Sequence, residues 1–149
     1  MKSFPKFNLE NQDGTEITND NLKGKTLIYF YPKDNTPGCT TQACDLRDNM
    51  STFNDLNIDV YGVSGDSKEK HKNFIEKHDL NFDLLVDQDF KLSETLGIYK
   101  EKKMFGKTFM GIERTSFLID ENSNILNVFE KVKPSTHVEE VKAWIESND

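Results

Sequence analysis

The run Leu27-Ile28-Tyr29-Phe30-Tyr31 restricts this chain more than any other stretch of its 149 residues. It is apolar or aromatic throughout and does not alternate, which suits a central strand covered on both faces. The chain then changes character: Pro32 to Cys44 reads P-K-D-N-T-P-G-C-T-T-Q-A-C and holds the only two cysteines. Thr36-Pro37-Gly38 marks the break before a helix, so Cys39 falls at or near a helix N-terminus. Unpaired backbone N–H groups and the positive end of the helix dipole favour a thiolate there. A buried strand thus delivers a reactive sulfur at its end.

The remaining segments supply layers for that strand. Phe7 to Thr18 carries Asp13-Gly14 between short alternating segments, a hairpin signal, and Asn19 to Gly24 reads as a turn or short helical turn. Ala43, Leu46, Met50 and Phe53 recur at helical spacing from about Gly38 to Phe53. Ile58 to Val63 is a second buried strand. Asp66 with Glu69 reads as a capping box opening a helix to about His78, with Phe74 and Ile75 on its inner face. Asn81 to Val86 reads as a strand and Asp89 to Leu96 as a helix closed by Gly97. The lysine-rich stretch Lys100 to Lys107 lacks periodicity and reads as an exposed loop. Gly111 to Asp120 and Ile125 to Phe129 form a hairpin around Glu121 to Asn124, and Thr136 with Glu139 caps a last helix whose inner stripe is Val138, Val141, Trp144 and Ile145. Strands alternating with helices and ending in a hairpin predict an α/β fold, a mixed sheet with helices on both faces, in a single domain over 1–149.

Composition narrows function by exclusion. Net charge is -7, and an acidic chain without a Lys/Arg cluster has no electrostatic footprint for nucleic acid or anionic membrane. The N-terminal stretch lacks an apolar h-region, and no window approaches the roughly 18 apolar residues of a membrane span. The expected protein is soluble and cytoplasmic. In a reducing compartment, two cysteines five residues apart are better explained by chemistry than by architecture.

The chemistry available to Cys39 follows from its neighbours. Thr36 offers a hydroxyl and Pro32 an apolar wall against water. A thiolate in that setting attacks a polarisable electrophile, and the charge that develops needs donors and a cation. Arg114 is the candidate cation, since Arg47, the other arginine, lies C-terminal to the cysteines; otherwise Arg114 sits on a solvated strand face. In an ideal helix residues i and i+5 have Cα atoms roughly 8 to 9 Å apart, beyond the reach of a disulfide. Cys44 is therefore either an inert helix residue or a partner reached only after local unwinding. A metal centre lacks support, because Cys-x4-Cys has no second ligand pair and His71, His78 and His137 are scattered at non-ligand spacings. Those histidines read as surface residues. Met50, Met104 and Met110 read as packing residues.

Tyr29-Phe30-Tyr31-Pro32-Lys33, then Thr36-Pro37-Gly38-Cys39-Thr40 and Ala43-Cys44, closely resembles the active-site region of peroxiredoxins, in particular the peroxiredoxin Q or bacterioferritin-comigratory subfamily. The resemblance extends to Lys103-Met104-Phe105-Gly106-Lys107, Gly111-Ile112, Arg114 to Asp120 and Val132-Lys133-Pro134. It implies a thioredoxin-like fold with an added N-terminal β-hairpin. It implies a peroxidatic Cys39, oriented by Thr36, stabilised by Arg114 and shielded by Pro32. Cys44 is then the resolving cysteine that closes an intramolecular disulfide, reduced by thioredoxin or a similar dithiol protein. Neither metal nor organic cofactor is implied, and a monomer is expected. Gln42 departs from the glutamate common in related sequences and is assigned no role. A thiol redox sensor using the same cysteines as a switch is the competing reading; a general disulfide oxidoreductase is disfavoured because Cys-x-x-Cys is absent.

Overall fold

In the computed structural model, which describes residues 3–148, the elements in chain order are β1 (Asn8–Glu10), β2 (Glu16–Thr18), β3 (Lys25–Phe30), α1 (Pro37–Asp48), α2 (Met50–Asp55), β4 (Ile58–Ser64), α3 (Lys68–His78), β5 (Asp83–Val86), α4 (Lys91–Thr95), β6 (Tyr99–Met104), β7 (Lys107–Ile112), β8 (Thr115–Ile119), β9 (Ile125–Phe129) and α5 (His137–Asn148). Met1, Lys2 and Asp149, and the side chain of Met104, lie outside the described residues. Seven strands form one sheet in the order β2-β1-β5-β4-β3-β8-β9, and β6 and β7 make a separate pair. The expected mixed α/β sheet is observed.

The unbroken apolar run is explained by its position. β3 lies between parallel β4 and antiparallel β8, so Tyr29 has Gly62 on one side and Ser116 on the other. Leu27 and Tyr29 point to a core shared with α1, α2, α3 and α5 through Leu46, Phe53, Phe74 and Val141. Ile28 and Phe30 point to the opposite core, built from Phe4, Phe7, Ile17, Leu92 of α4, Ile98 and Ile112. Each large side chain buried this way contributes about 1.5–3 kcal/mol. The helices are unevenly shared: four cover one face, and α4 with the N-terminal segment covers the other.

Several local expectations are corrected. The helix foreseen over Gly38 to Phe53 is two helices, broken at Asn49 (φ -110, ψ 8). The Asn49 side chain donates to the Asp45 carbonyl at 2.7 Å and accepts from Lys142 Nζ at 2.7 Å, competing with the helical ladder. Ser67, not Asp66, caps α3, accepting from the Lys70 N–H, because the Asp66 carboxylate is engaged inside. Thr136 donates its hydroxyl to Glu140 Oε1 at 3.3 Å, where a box with Glu139 was expected.

The stretch Lys100 to Lys107 is a hairpin, not a loop. Phe105 and Gly106, at φ 54 and φ 76, make the two-residue turn between β6 and β7. Much of the hairpin faces solvent, so no hydrophobic alternation reveals it; Phe105 is 95% exposed and Met110 51%, which corrects the reading of Met110 as a packing residue. The strand foreseen over Gly111 to Asp120 is likewise divided. β7 belongs to this hairpin and β8 to the main sheet, and Glu113 and Arg114 lie in the break.

Candidate active site

α1 opens where β3 ends. Thr36 is its N-cap (φ -87, ψ 154) and Pro37 supplies a preset φ in the first turn. The Thr36 hydroxyl makes no cap bond; it donates to the Lys33 carbonyl at 2.9 Å. Cys39 is the third helical residue and only 2% exposed, on the same buried face as Gln42, Ala43 and Leu46. Pro32 and Thr36 are half-buried on the loop before it.

Arg114 reaches this sulfur from the break between β7 and β8. Its Nη1 lies 3.4 Å from Cys39 Sγ and 2.6 Å from Gln42 Oε1. Its carbonyl accepts from the Val132 N–H at 3.0 Å, fixing the backbone. Gly38 leaves room for the guanidinium: a Cβ there would lie 3.4 Å from Arg114 Nη2 and 3.4 Å from Pro134 Cγ. Arg114 is thus half-buried against α1 and not on a solvated strand face. Arg47 is far along α1, donating to the His78 carbonyl at 2.6 Å. Cys44 is half-buried off the Cys39 face, and both cysteines are free.

Three residues given no role in the sequence complete the surroundings. Gln42 Nε2 lies 3.2 Å from His137 Nδ1, and His137 Nε2 lies 2.7 Å from Ser116 Oγ. His137 is fully buried at the start of α5, and burial, then the Arg114 charge, push its pKa down to about 4. His71 is also fully buried. The reading of these two as surface histidines is corrected: each has both ring nitrogens matched to interior partners, which offsets the cost of burial. Gln42 could have been noticed, because i+3 from Cys39 shares its helix face. Nothing in sequence connects His137, 95 positions from Gln42, to the site.

His71 holds the loop that precedes Cys39. Its Nε2 lies 2.8 Å from the Leu85 carbonyl, which can only accept, so that nitrogen is protonated. Its Nδ1 lies 2.6 Å from Asp34 Oδ2. The Tyr31 hydroxyl donates to Asp34 Oδ1, and the Asp34 N–H donates to Asp66 Oδ2 at 2.7 Å. Ligand atoms of Asp34, Asp66 and His71 lie within 4.8 Å of one another. They are spent on each other and on Tyr31, Ser64 and Leu85, so the cluster serves as a polar anchor between the loop and α3. On the other flank Lys102 Nζ donates to the Ile112 carbonyl at 2.5 Å, and burial, then Arg114, lower its pKa. The Tyr29 hydroxyl, fully buried and without a hydrogen-bond partner among the described residues, stays a neutral phenol; burial, then Cys39, push its pKa up.

Residues 1–128 match the AhpC/TSA family. Peroxiredoxin Bcp of Bacillus subtilis is 49% identical over 137 residues, covering 91% of this chain and 87% of that protein. The chain is a peroxiredoxin of the AhpC/TSA family. Peroxiredoxin Bcp of Escherichia coli K12 is 46% identical over 145 residues, 97% of this chain and 93% of its own length. Among solved structures, the bacterioferritin comigratory protein of Xanthomonas campestris, described for its alkyl peroxide reduction activity, superposes with a TM-score of 0.87 at 35% identity, covering 95% of this chain and 91% of that one. The sheet and its helices are accordingly the thioredoxin-like fold of this family, and the protein is a thiol-dependent peroxidase. For a peroxiredoxin the arrangement is chemically coherent: a sulfur at a helix start, an arginine on it, and a second thiol in the same helix. No helix among the described residues is long and apolar enough to cross a membrane.

Proposed function

We propose that Cys39 is the peroxidatic residue and Cys44 the resolving one in the reduction of hydrogen peroxide and alkyl hydroperoxides, the latter suggested by the activity of the Xanthomonas relative. The observation that carries this reading is the 3.4 Å contact between Arg114 Nη1 and Cys39 Sγ at the start of α1. The Cys39 thiolate attacks the terminal oxygen of ROOH; the S–O bond forms, the O–O bond breaks, and the alkoxide leaves to take up a proton as ROH. Arg114, in contact with the sulfur, stabilises the charge developing on the peroxide oxygens. Pro32 limits water. Thr36, whose proton is directed at the Lys33 carbonyl, keeps its oxygen lone pairs free to accept a hydrogen bond from the incoming peroxide.

The sulfenic acid is then resolved within the chain. Cys44 displaces the Cys39 hydroxyl, forming the S–S bond and releasing water, after the first turns of α1 unwind to bring the sulfurs together. A thioredoxin-type dithiol returns the disulfide to two thiols. One domain suffices, acting as a monomer in the cytoplasm, since the second thiol comes from the same helix.

Peroxide consumption coupled to thioredoxin and its reductase tests the assignment: wild type turns over and Cys39→Ser does not, whereas equal rates would remove Cys39 from the reaction. Cys44→Ser treated with one equivalent of peroxide should accumulate a trappable sulfenic acid at Cys39. An intermolecular Cys39 bond with free Cys44 in the oxidised wild type would overturn the resolving step.

A further inference from the structure

We propose that His137 is a positioning residue for peroxide reduction: it holds Gln42 in the one amide orientation that offers Arg114 an acceptor, and so keeps the guanidinium against Cys39. The inference rests on the reading of Cys39 and Arg114 given above.

The hydrogen-bond chain permits a single assignment of protons. A guanidinium has donors and no acceptor, so its 2.6 Å contact with Gln42 requires Oε1 to face Arg114. The amide NH2 then faces His137, and Nδ1 at 3.2 Å must accept. A neutral ring carries its proton on Nε2 and donates it to Ser116 Oγ at 2.7 Å. Protonating Nδ1 would set donor against donor at the amide, and flipping the amide would do the same at Arg114.

The ring is well placed to impose this choice. It is fully buried, and the pKa of about 4 keeps it neutral across the physiological range. Its centroid lies 5.9 Å from that of Tyr29, whose cross-strand neighbour is Ser116, so β3 and β8 define its position. Among the described residues the Gln42 side chain bonds only to Arg114 and His137. Without the imidazole acceptor, the amide has no second anchor and its NH2 is left buried and unpaired. α5 thereby acts on the sulfur through two intervening side chains, without touching it.

Two measurements test this. In the reduced wild type, nitrogen NMR of the imidazole between about pH 6 and pH 8 should show Nε2 protonated and Nδ1 bare; a proton on Nδ1 would overturn the proposal, whatever the variants do. In single-turnover mixing with peroxide, His137→Phe, which keeps volume but removes the acceptor, should react about ten-fold more slowly. His137→Asn, which returns an acceptor near the Nδ1 position, should recover most of that rate. In an Arg114→Ala background, His137→Phe should change the rate by less than about two-fold, because the path it acts through is gone. An equal slowing in both backgrounds, or a wild-type rate for His137→Phe, sinks the proposal. An active Cys39→Ser protein would instead sink the underlying reading, so the two failures are distinguishable.

Discussion

Cys39 and Cys44 share one uninterrupted helix, with Cys39 packed into the core and Cys44 half-buried off that face. Their separation in sequence places the Cα atoms roughly 8 to 9 Å apart in an intact helix. The turns that present Cys39 to Arg114 are therefore the turns that must open for a disulfide, and under the proposed roles of the two cysteines the stability of the first turns of α1 would set the balance between resolution and over-oxidation.

Thr41→Ala bears on that balance, because Thr41 is exposed on α1 and its hydroxyl bonds only to the Pro37 carbonyl at 3.1 Å. Alanine strengthens a helix by about 0.6 kcal/mol over threonine, enough to reduce the unwound population by roughly three-fold. The expected outcome is slower disulfide formation and more sulfinic acid at Cys39 under excess peroxide, read by mass spectrometry. Unchanged sulfinic yield would mean that the first turn does not limit resolution.

Arg114→Ala removes the cation from Cys39 and leaves Gln42 Oε1 without its donor. The reaction with peroxide should slow by about 10²–10³-fold, the usual cost of losing one charge-stabilising donor. Arg114→Lys should fall in between, since an ammonium lacks the planar group that serves both acceptors. Circular dichroism should stay native, and an unperturbed rate would take Arg114 out of the site.

Asp34→Ala tests the anchor beneath the loop. It deprives the Tyr31 hydroxyl and His71 Nδ1 of a partner in a buried setting, for which about 2–6 kcal/mol of stability should be lost, about 1–3 for each group left unpaired. Urea unfolding measures this directly. A loss below about 1 kcal/mol would show that the cluster does not hold the loop.

His137 should leave a signature in acid. Its pKa in the folded protein, about 4, lies below the ordinary 6.5. The unfolded chain binds the proton first as pH falls, so stability declines from about pH 6.5 downward and the loss reaches about 3 kcal/mol near pH 4. Above pH 7 the group contributes no pH dependence. His137→Phe, though less stable at neutral pH, should show a shallower fall across that window, and parallel curves for the two proteins would refute the assignment.

Local sequence determined what short-range physics can determine. The unbroken apolar run specified a doubly covered strand, Thr36-Pro37-Gly38 specified a helix start, and the five-residue spacing specified two thiols kept apart by that helix. The hairpin Lys100 to Lys107 escaped notice because a strand pair largely facing solvent carries no hydrophobic period. Asn49 broke a helix through side-chain competition that periodicity does not register. The choice of which buried polar groups meet belonged to tertiary structure alone. Arg114, Gln42, His137 and Ser116 come from four separate elements or connections, and a histidine in sequence looks the same whether water or an amide faces it. Only packing α5 against α1 and β8 withdraws water from that ring and sets its tautomer, because a hydrogen bond between distant residues exists only once the surrounding core has fixed both ends.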